Sequence, residues 1–339
     1  MTASGRLRSL LQPSPEVTID TPERWSKRRE ELKELILSYL GRPPYEEAPP
    51  PVPRILKTTD GPHYRHVYLA YDVSPGEEVR AHLLIPPPTR CKGGAAVLCL
   101  HGTSPEAKDT QLGAGSKPGR DWGRFLATHG YITLSPDHLC AGERLEEGYA
   151  PYDTAPFYRR HPHWSAVGKA IWDGQRALDV LCALPEVDAA RLGVVGHSLG
   201  GHGSVFVAAF DERVRAAVSS CGLTTWTGNP LRLKWARDHW YSYIPALRPI
   251  FLTDEEPPFD LHEFAALIAP RAFLNISGMS DPTYGNNETL PELGLRLFEL
   301  YQMLGRPEAF ANFLFGAGHD VPEYSRALTL AWFDHWLCQ

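Results

Sequence analysis

Residues 193–201 read GVVGHSLGG. A serine stands between glycines directly after an apolar run. A buried strand has no use for the hydroxyl, and glycine weakens a helix. The pattern fits a strand that turns at once into a helix. Gly196 and Gly200 are small enough to let the chain close that corner. Such a corner lifts the Ser198 hydroxyl above the sheet, at the N-terminus of the next helix. Unpaired N–H groups and the helix dipole favour developing negative charge there. Ser198 is therefore read as a nucleophile, against the plainer reading of a glycine-rich strand–helix turn.

Outward from this corner, strand-like and helix-like segments alternate. HVYLAYDV and VRAHLLIP, joined by a turn at 74–76, predict an antiparallel start. AAVLCL (95–100), YITLSP (131–136), RLGVVG (191–196), VRAAVSS (214–220), RAFLNIS (271–277) and FANFLF (310–315) predict further strands. Helical patterns fall at 121–129, 165–184, 199–210, near 260–268, near 289–304 and at 322–337. Strands alternating with helices predict an α/β fold, with a mostly parallel eight-stranded sheet covered on both faces. The expected catalytic domain spans 61–339. Before it, a helix over 22–40 is capped by Thr21 and ended by Gly41, with Trp25, Leu32, Leu35, Ile36 and Tyr39 on one face. The proline-rich stretch RPPYEEAPPPVPR that follows is an extended connector. Residues 1–60 are thus expected to form an extension that docks on the domain.

Composition excludes several functions. The 339 residues carry 34 Lys and Arg against 40 Asp and Glu, a net charge of −6, so no basic face points to nucleic acid. No apolar run approaches the ~20 residues of a membrane helix, and the N-terminus lacks the apolar core of a signal peptide. Six cysteines, Cys91, Cys99, Cys140, Cys182, Cys221 and Cys338, make no disulfide framework in a chain this long. Reduced thiols and a cytoplasmic setting are expected. His161 and His163 lack carboxylate or cysteine companions at metal-site spacing, so neither a metal nor a cofactor is expected.

In a parallel sheet, ligands bind beyond the carboxyl ends of the strands. A serine hydroxyl needs a base. His319, in GAGHD after FANFLF, falls at the same sheet edge as Ser198. His197 and His202 flank the corner and are expected to point elsewhere, and His101 is expected to be structural. The base needs a carboxylate to set its tautomer. Asp281, in SGMSDP after RAFLNIS, is the candidate, against a turn-capping role before Pro282. Asp320, Asp254, Glu255 and Glu256 are rivals. For the oxyanion, the backbone N–H groups of Leu199 and of Thr103, which follows His101-Gly102, are the proposed donors.

Together these residues resemble the α/β-hydrolase superfamily over about 64–338: the HG loop at 101–102, GHSLGG at 196–201, Asp281, and GAGHD at 316–320. Within it the chain looks most like the dienelactone-hydrolase-related and acetyl-xylan-esterase-like group. SPDHLCAGER (135–144) and the helix running into the nucleophile carry that likeness. Dienelactone hydrolases proper use cysteine where this chain has Ser198. The resemblance implies a serine esterase acting on small acyl or acetyl esters, a small-molecule partner, and a lid inserted at 222–260. Trp226, Trp235 and Trp240 of that insertion are candidate pocket walls, against a lid core of their own. Arg144, in a second long segment, is a candidate contact for an acidic substrate, against a surface role. A serine peptidase of the prolyl-oligopeptidase type and a non-catalytic hydrolase-like binding protein are the alternatives.

Overall fold

The computed structural model describes residues 7–45, 50–89, 92–253 and 255–338; Cys91 and Asp254 lie outside the described residues. Among these residues nine strands form one sheet: β1 (Arg54–Asp60), β2 (Arg65–Ser74), β3 (Glu77–Ile85), β4 (Ala96–Leu100), β5 (Ile132–Pro136), β6 (Leu192–His197), β7 (Val214–Ser220), β8 (Ala272–Gly278) and β9 (Phe310–Phe315). Their order across the sheet is β1-β2-β3-β5-β4-β6-β7-β8-β9. Pairings from β1 through β3 to β5 are antiparallel, and every pairing from β5 to β9 is parallel. The helices are α1 (Pro22–Leu40), α2 (Trp122–Thr128), α3 (Ala155–Arg160), α4 (Ala166–Cys182), α5 (Leu199–Phe210), α6 (Arg248–Phe251), α7 (Leu261–Ala266), α8 (Leu290–Met303) and α9 (Glu323–Leu337). None of the described helices is long and apolar enough to cross a membrane.

The central strands are apolar because both faces are covered: β4, β5, β6 and β8 are buried at every residue. Strand β1 is the opposite case, exposed throughout. Its sequence RILKTTD has no buried face to impose alternation, so only pairing with β2 reveals it. The sheet therefore has nine strands and not the expected eight, and it begins before residue 61.

The N-terminal extension is part of the main core. Thr21 Oγ1 accepts from the Arg24 amide at the start of α1, and Gly41 ends the helix with φ 73°. Trp25, Leu32, Ile36 and Leu40 are buried in the same apolar cluster as β2, β3, α4 and α7. Leu7, Leu10 and Ile19 join them. The Ser165 amide bonds Leu40 O at 2.7 Å, which ties the end of α1 to the start of α4.

A Trp25→Ala variant is expected to lose about 3–5 kcal/mol of stability, the cost of emptying a large buried site. Urea denaturation followed by tryptophan fluorescence and far-UV CD would check it, and a loss below about 1 kcal/mol would mean that the extension is only loosely attached.

Candidate active site

The corner at the end of β6 has the geometry that its glycines suggest. Ser198 has φ 59° and ψ −118°, a left-handed conformation that a residue with a side chain adopts only under constraint. The constraint is close packing of backbones. A Cβ on Gly200 would stand 2.0 Å from Leu100 O at the end of β4, and one on Gly196 would stand 2.3 Å from the Gly200 backbone. The Ser198 amide is held by Ser220 O of β7 at 2.8 Å. Leu199 opens α5, so its N–H is one of those that a helix start leaves without an internal partner.

Three more strand ends converge on Ser198. The loop after β4 brings Gly102 so close that a Cβ there would lie 3.6 Å from Ser198 Cβ and 3.0 Å from His197 O. The loop after β8 carries Asp281, and the loop after β9 carries His319. His319 Nδ1 lies 2.5 Å from Asp281 Oδ2. Asp281 also accepts from the Thr283 amide at 2.8 Å. Burial pushes the Asp281 carboxyl up, but the hydrogen bond and charge of His319 outweigh it, and its pKa ends below the usual value. Asp281 is thus a carboxylate, and the Nδ1 proton of His319 points at it. Nε2 of His319 remains for another partner. Ser198, His319, Thr103 and Trp235 line one cleft of about 320 Å³.

The model of the family described as glucuronyl esterase, fungi, matches residues 146–305, which include Ser198 and Asp281. The chain is similar to a glucuronoyl esterase from Solibacter usitatus, at 18% identity and a TM-score of 0.76, over 97% of each chain. It is also similar to a Bacteroides fragilis protein assigned as an acetyl xylan esterase, at 21% identity and a TM-score of 0.65, over 87% of this chain and 76% of that one. A Bacillus subtilis (strain 168) protein assigned as a hydrolase, YtaP, is 24% identical over 212 residues, 62% of this chain and 67% of its own length. The chain is an ester hydrolase of the α/β-hydrolase fold.

Histidine chemistry sets the hydrolase's loops. His101 Nε2 accepts from the His138 amide at 3.0 Å, so its proton sits on Nδ1 and goes to Gly102 O at 2.8 Å. His138 Nε2 in turn donates to His101 O at 2.8 Å. This clasp joins the ends of β4 and β5. Burial pushes His101 down to about 4 and His138 down to about 3, so both are neutral at physiological pH. His101 is structural, as its burial demands. Asp137, of the Asp-plus-Gly loop, is buried and bonds Lys108 Nζ at 2.8 Å and the Glu143 amide at 3.0 Å. A Cβ on Gly142 would strike the Asp137 carboxylate at 2.2 Å.

Two contributors had no local signal in the sequence. Tyr152 has φ 66° and aims its hydroxyl at the loop after β4. The hydroxyl accepts from the Ser104 amide at 2.8 Å and donates to Ser104 O at 2.7 Å. It therefore pins the backbone on which the Thr103 amide is carried. His202, expected to point elsewhere, lines the cleft. Its Nδ1 donates to Gly222 O, and its Nε2 faces the Tyr284 hydroxyl at 3.2 Å. Tyr284 also donates to Cys221 O at 2.9 Å. One phenolic proton thus serves two acceptors, and the pair has spare capacity to accept from a bound donor.

Other candidates are placed differently. Trp235 and Trp240 line the cleft. Trp226 is fully buried against Trp235, Phe251 and Phe259, in the same apolar cluster as α1, α4 and α7, so the insertion has neither a separate core there nor a cleft wall in Trp226. Arg144 does not face the cleft. Its buried guanidinium pairs with Asp173 at 2.7 Å and with Glu77. Asp320 is exposed, and Glu255 and Glu256 are exposed in a distant loop. His161 lies among the rings of Tyr45, Phe157 and Trp164. Among the described residues one group brings three potential metal donors together: Cys221, Asp281 and His319, within 4.8 Å. Burial pushes the Cys221 thiol up to about 12, and Asp281 and His319 already bond each other, so the set suits proton transfer better than a cation.

A Tyr152→Phe variant removes the clasp on the 102–104 backbone while keeping the ring packing. kcat is expected to fall about tenfold with KM little changed, as for a loss felt in the transition state; steady-state kinetics on any cleaved ester would test it, and an unaltered kcat would count against the clasp. The buried histidines predict a pH dependence of stability. His101, His138 and His202 have folded pKa values near 4, 3 and 3 against 6.5 unperturbed. Below about pH 6.5 the unfolded chain therefore binds protons that the folded chain refuses, so stability is full above that pH and declines as pH falls towards 4. Thermal melts across this range should show the decline.

Proposed function

We propose that the protein cleaves carboxylic esters of a carbohydrate through an acyl-enzyme on Ser198. The Asp281–His319 contact carries this reading: it leaves His319 Nε2 as a base in the cleft that Ser198 lines. Ser198 Oγ attacks the carbonyl carbon while its proton passes to His319 Nε2. The N–H groups of Thr103 and Leu199 hold the oxyanion. Collapse breaks the ester bond, and His319 returns the proton to the departing alcohol. Water then attacks the acyl-enzyme with His319 again as base, and Ser198 is released with the free acid. Asp281 keeps the imidazole proton on Nδ1 and stabilises its cation.

The sugar part of the proposal rests on the kind of cleft and on the relatives. Trp235 offers an aromatic plate, and His202 and Tyr284 offer acceptors for hydroxyl donors. The matched family and the Solibacter usitatus structure are named for glucuronoyl esters. Among the described residues Cys99, Cys140, Cys182, Cys221 and Cys338 are free thiols, which supports a reducing, cytoplasmic compartment.

Purified enzyme is expected to release methanol from methyl glucuronate and nitrophenol from 4-nitrophenyl acetate. Ser198→Ala should cut both rates by at least about 10³-fold while keeping the wild-type melting temperature. Wild-type turnover in that variant would remove Ser198 from the mechanism, and cleavage of aminoacyl-naphthylamides with no cleavage of either ester would favour a peptidase.

A further inference from the structure

The chain as a whole is acidic, with a net charge of −6. The walls of the cleft are not. Lys117 and Arg120, from the segment between β4 and α2, line it, and so do Lys234 and Arg237 of the insertion after β7. The two residues of the first pair also border a second cavity of about 220 Å³, which shares Thr103 with the cleft. Among the described residues, none that lines the cleft around Ser198 is a carboxylate.

These four cations have no carboxylate partner among the described residues, a state they share with Arg215, Arg232 and Arg271, which donate to backbone carbonyls away from the cleft. Among the described residues, most arginines and lysines near a carboxylate are paired with it, as Arg144, Lys108 and Arg213 are. Lys117, Arg120, Lys234 and Arg237 enter no ion pair with a described residue. Their contacts use only part of their donors. Arg120 Nη2 donates to His319 O at 3.0 Å, and Lys234 Nζ donates to Thr283 O at 3.2 Å. Arg237 Cζ lies over the Trp240 ring, 5.0 Å from its centre, and its guanidinium has no hydrogen-bond acceptor among the described residues. The acids nearest to Arg120 are Asp320, which is exposed, and Asp281, which is engaged by His319.

Like charges gathered at one cleft repel, and a guanidinium and an ammonium with spare donors along it are poised for an anion. The acyl-enzyme chemistry itself asks for no such surplus, since the oxyanion is met by two backbone amides. We propose that the natural ester carries a free carboxylate beside the scissile group, so that the substrate is an acidic carbohydrate ester. Lys234 and Arg237 take that carboxylate on the aromatic side of Ser198, and Lys117 draws acidic chain extensions towards the second cavity. This inference rests on the esterase reading above and names its substrate class.

A matched pair of substrates tests it: the monomethyl and the dimethyl ester of a uronic acid disaccharide, which differ by one carboxylate next to the same scissile bond. Wild-type enzyme should show a kcat/KM at least about tenfold higher for the monoester, the worth of one charge-assisted contact. High salt should erode that preference. The double variant Lys234→Gln/Arg237→Gln should collapse the ratio of the two kcat/KM values about tenfold or more. Lys117→Glu lies on an exposed loop where folding is not at risk, and it should lower the ratio in the same direction. Equal kcat/KM values in the wild type, or a ratio indifferent to salt and to both variants, would overturn the inference and leave the esterase reading intact. No methanol from either ester would instead strike at the carbohydrate-ester reading itself.

Discussion

Everything at the cleft depends on backbones packed too closely for side chains. Gly200 touches Leu100 O, Gly196 touches Gly200, and Gly201 approaches Ser220 O, so that a Cβ on any of them would meet backbone within 3 Å. This contact between β4, β6, β7 and the start of α5 forces Ser198 to a φ of 59°. A non-glycine residue held there costs on the order of 1–3 kcal/mol, sustained only because the surrounding sheet over-determines it. The strain sets the direction of one hydroxyl, and it is met by the burial of a fully covered parallel sheet.

Around that corner, precision comes from polar clasps at strand ends. The His101–His138 pair fixes the ends of β4 and β5 to each other, Tyr152 holds the 102–104 backbone, and Asp137 ties down the loop after β5. Each clasp is buried, so each group can keep its partner without competition from water. Low dielectric also keeps the histidines neutral, which lets them accept and donate in fixed directions. The groups proposed to react sit where these clasps leave amides, an imidazole nitrogen and a hydroxyl facing one cleft.

Electrostatics divides the molecule in two. Buried cations away from the cleft, such as Lys169 and Arg144, are matched by Asp173 and Glu77. At the cleft Lys117, Arg120, Lys234 and Arg237 have no carboxylate partner among the described residues. An acidic protein with a basic opening can keep its solubility while drawing a charged substrate to one place. Arg144 shows how little sequence position reveals about this: it lies in a long loop after a strand end, as a substrate contact would, yet its guanidinium is buried in an ion network that knits β3, α4 and the loop after β5.

The sequence by itself determined the order of elements, the corner at Ser198, and the carboxylate and histidine that meet beside it. These were legible because they depend on local rules: apolar runs for strands covered on both faces, glycine at a tight corner, and function at strand ends. The exposed strand β1 was illegible, since an edge strand with no buried face has no pattern to read. So were the clasp by Tyr152, the turn of His202 into the cleft, the burial of Trp226 and the gathering of Lys117, Arg120, Lys234 and Arg237. Each of these joins residues far apart in the chain, and no local periodicity encodes which distant neighbour a side chain will meet. Only the packing of the loops and the insertion at the carboxyl ends of the strands decided that.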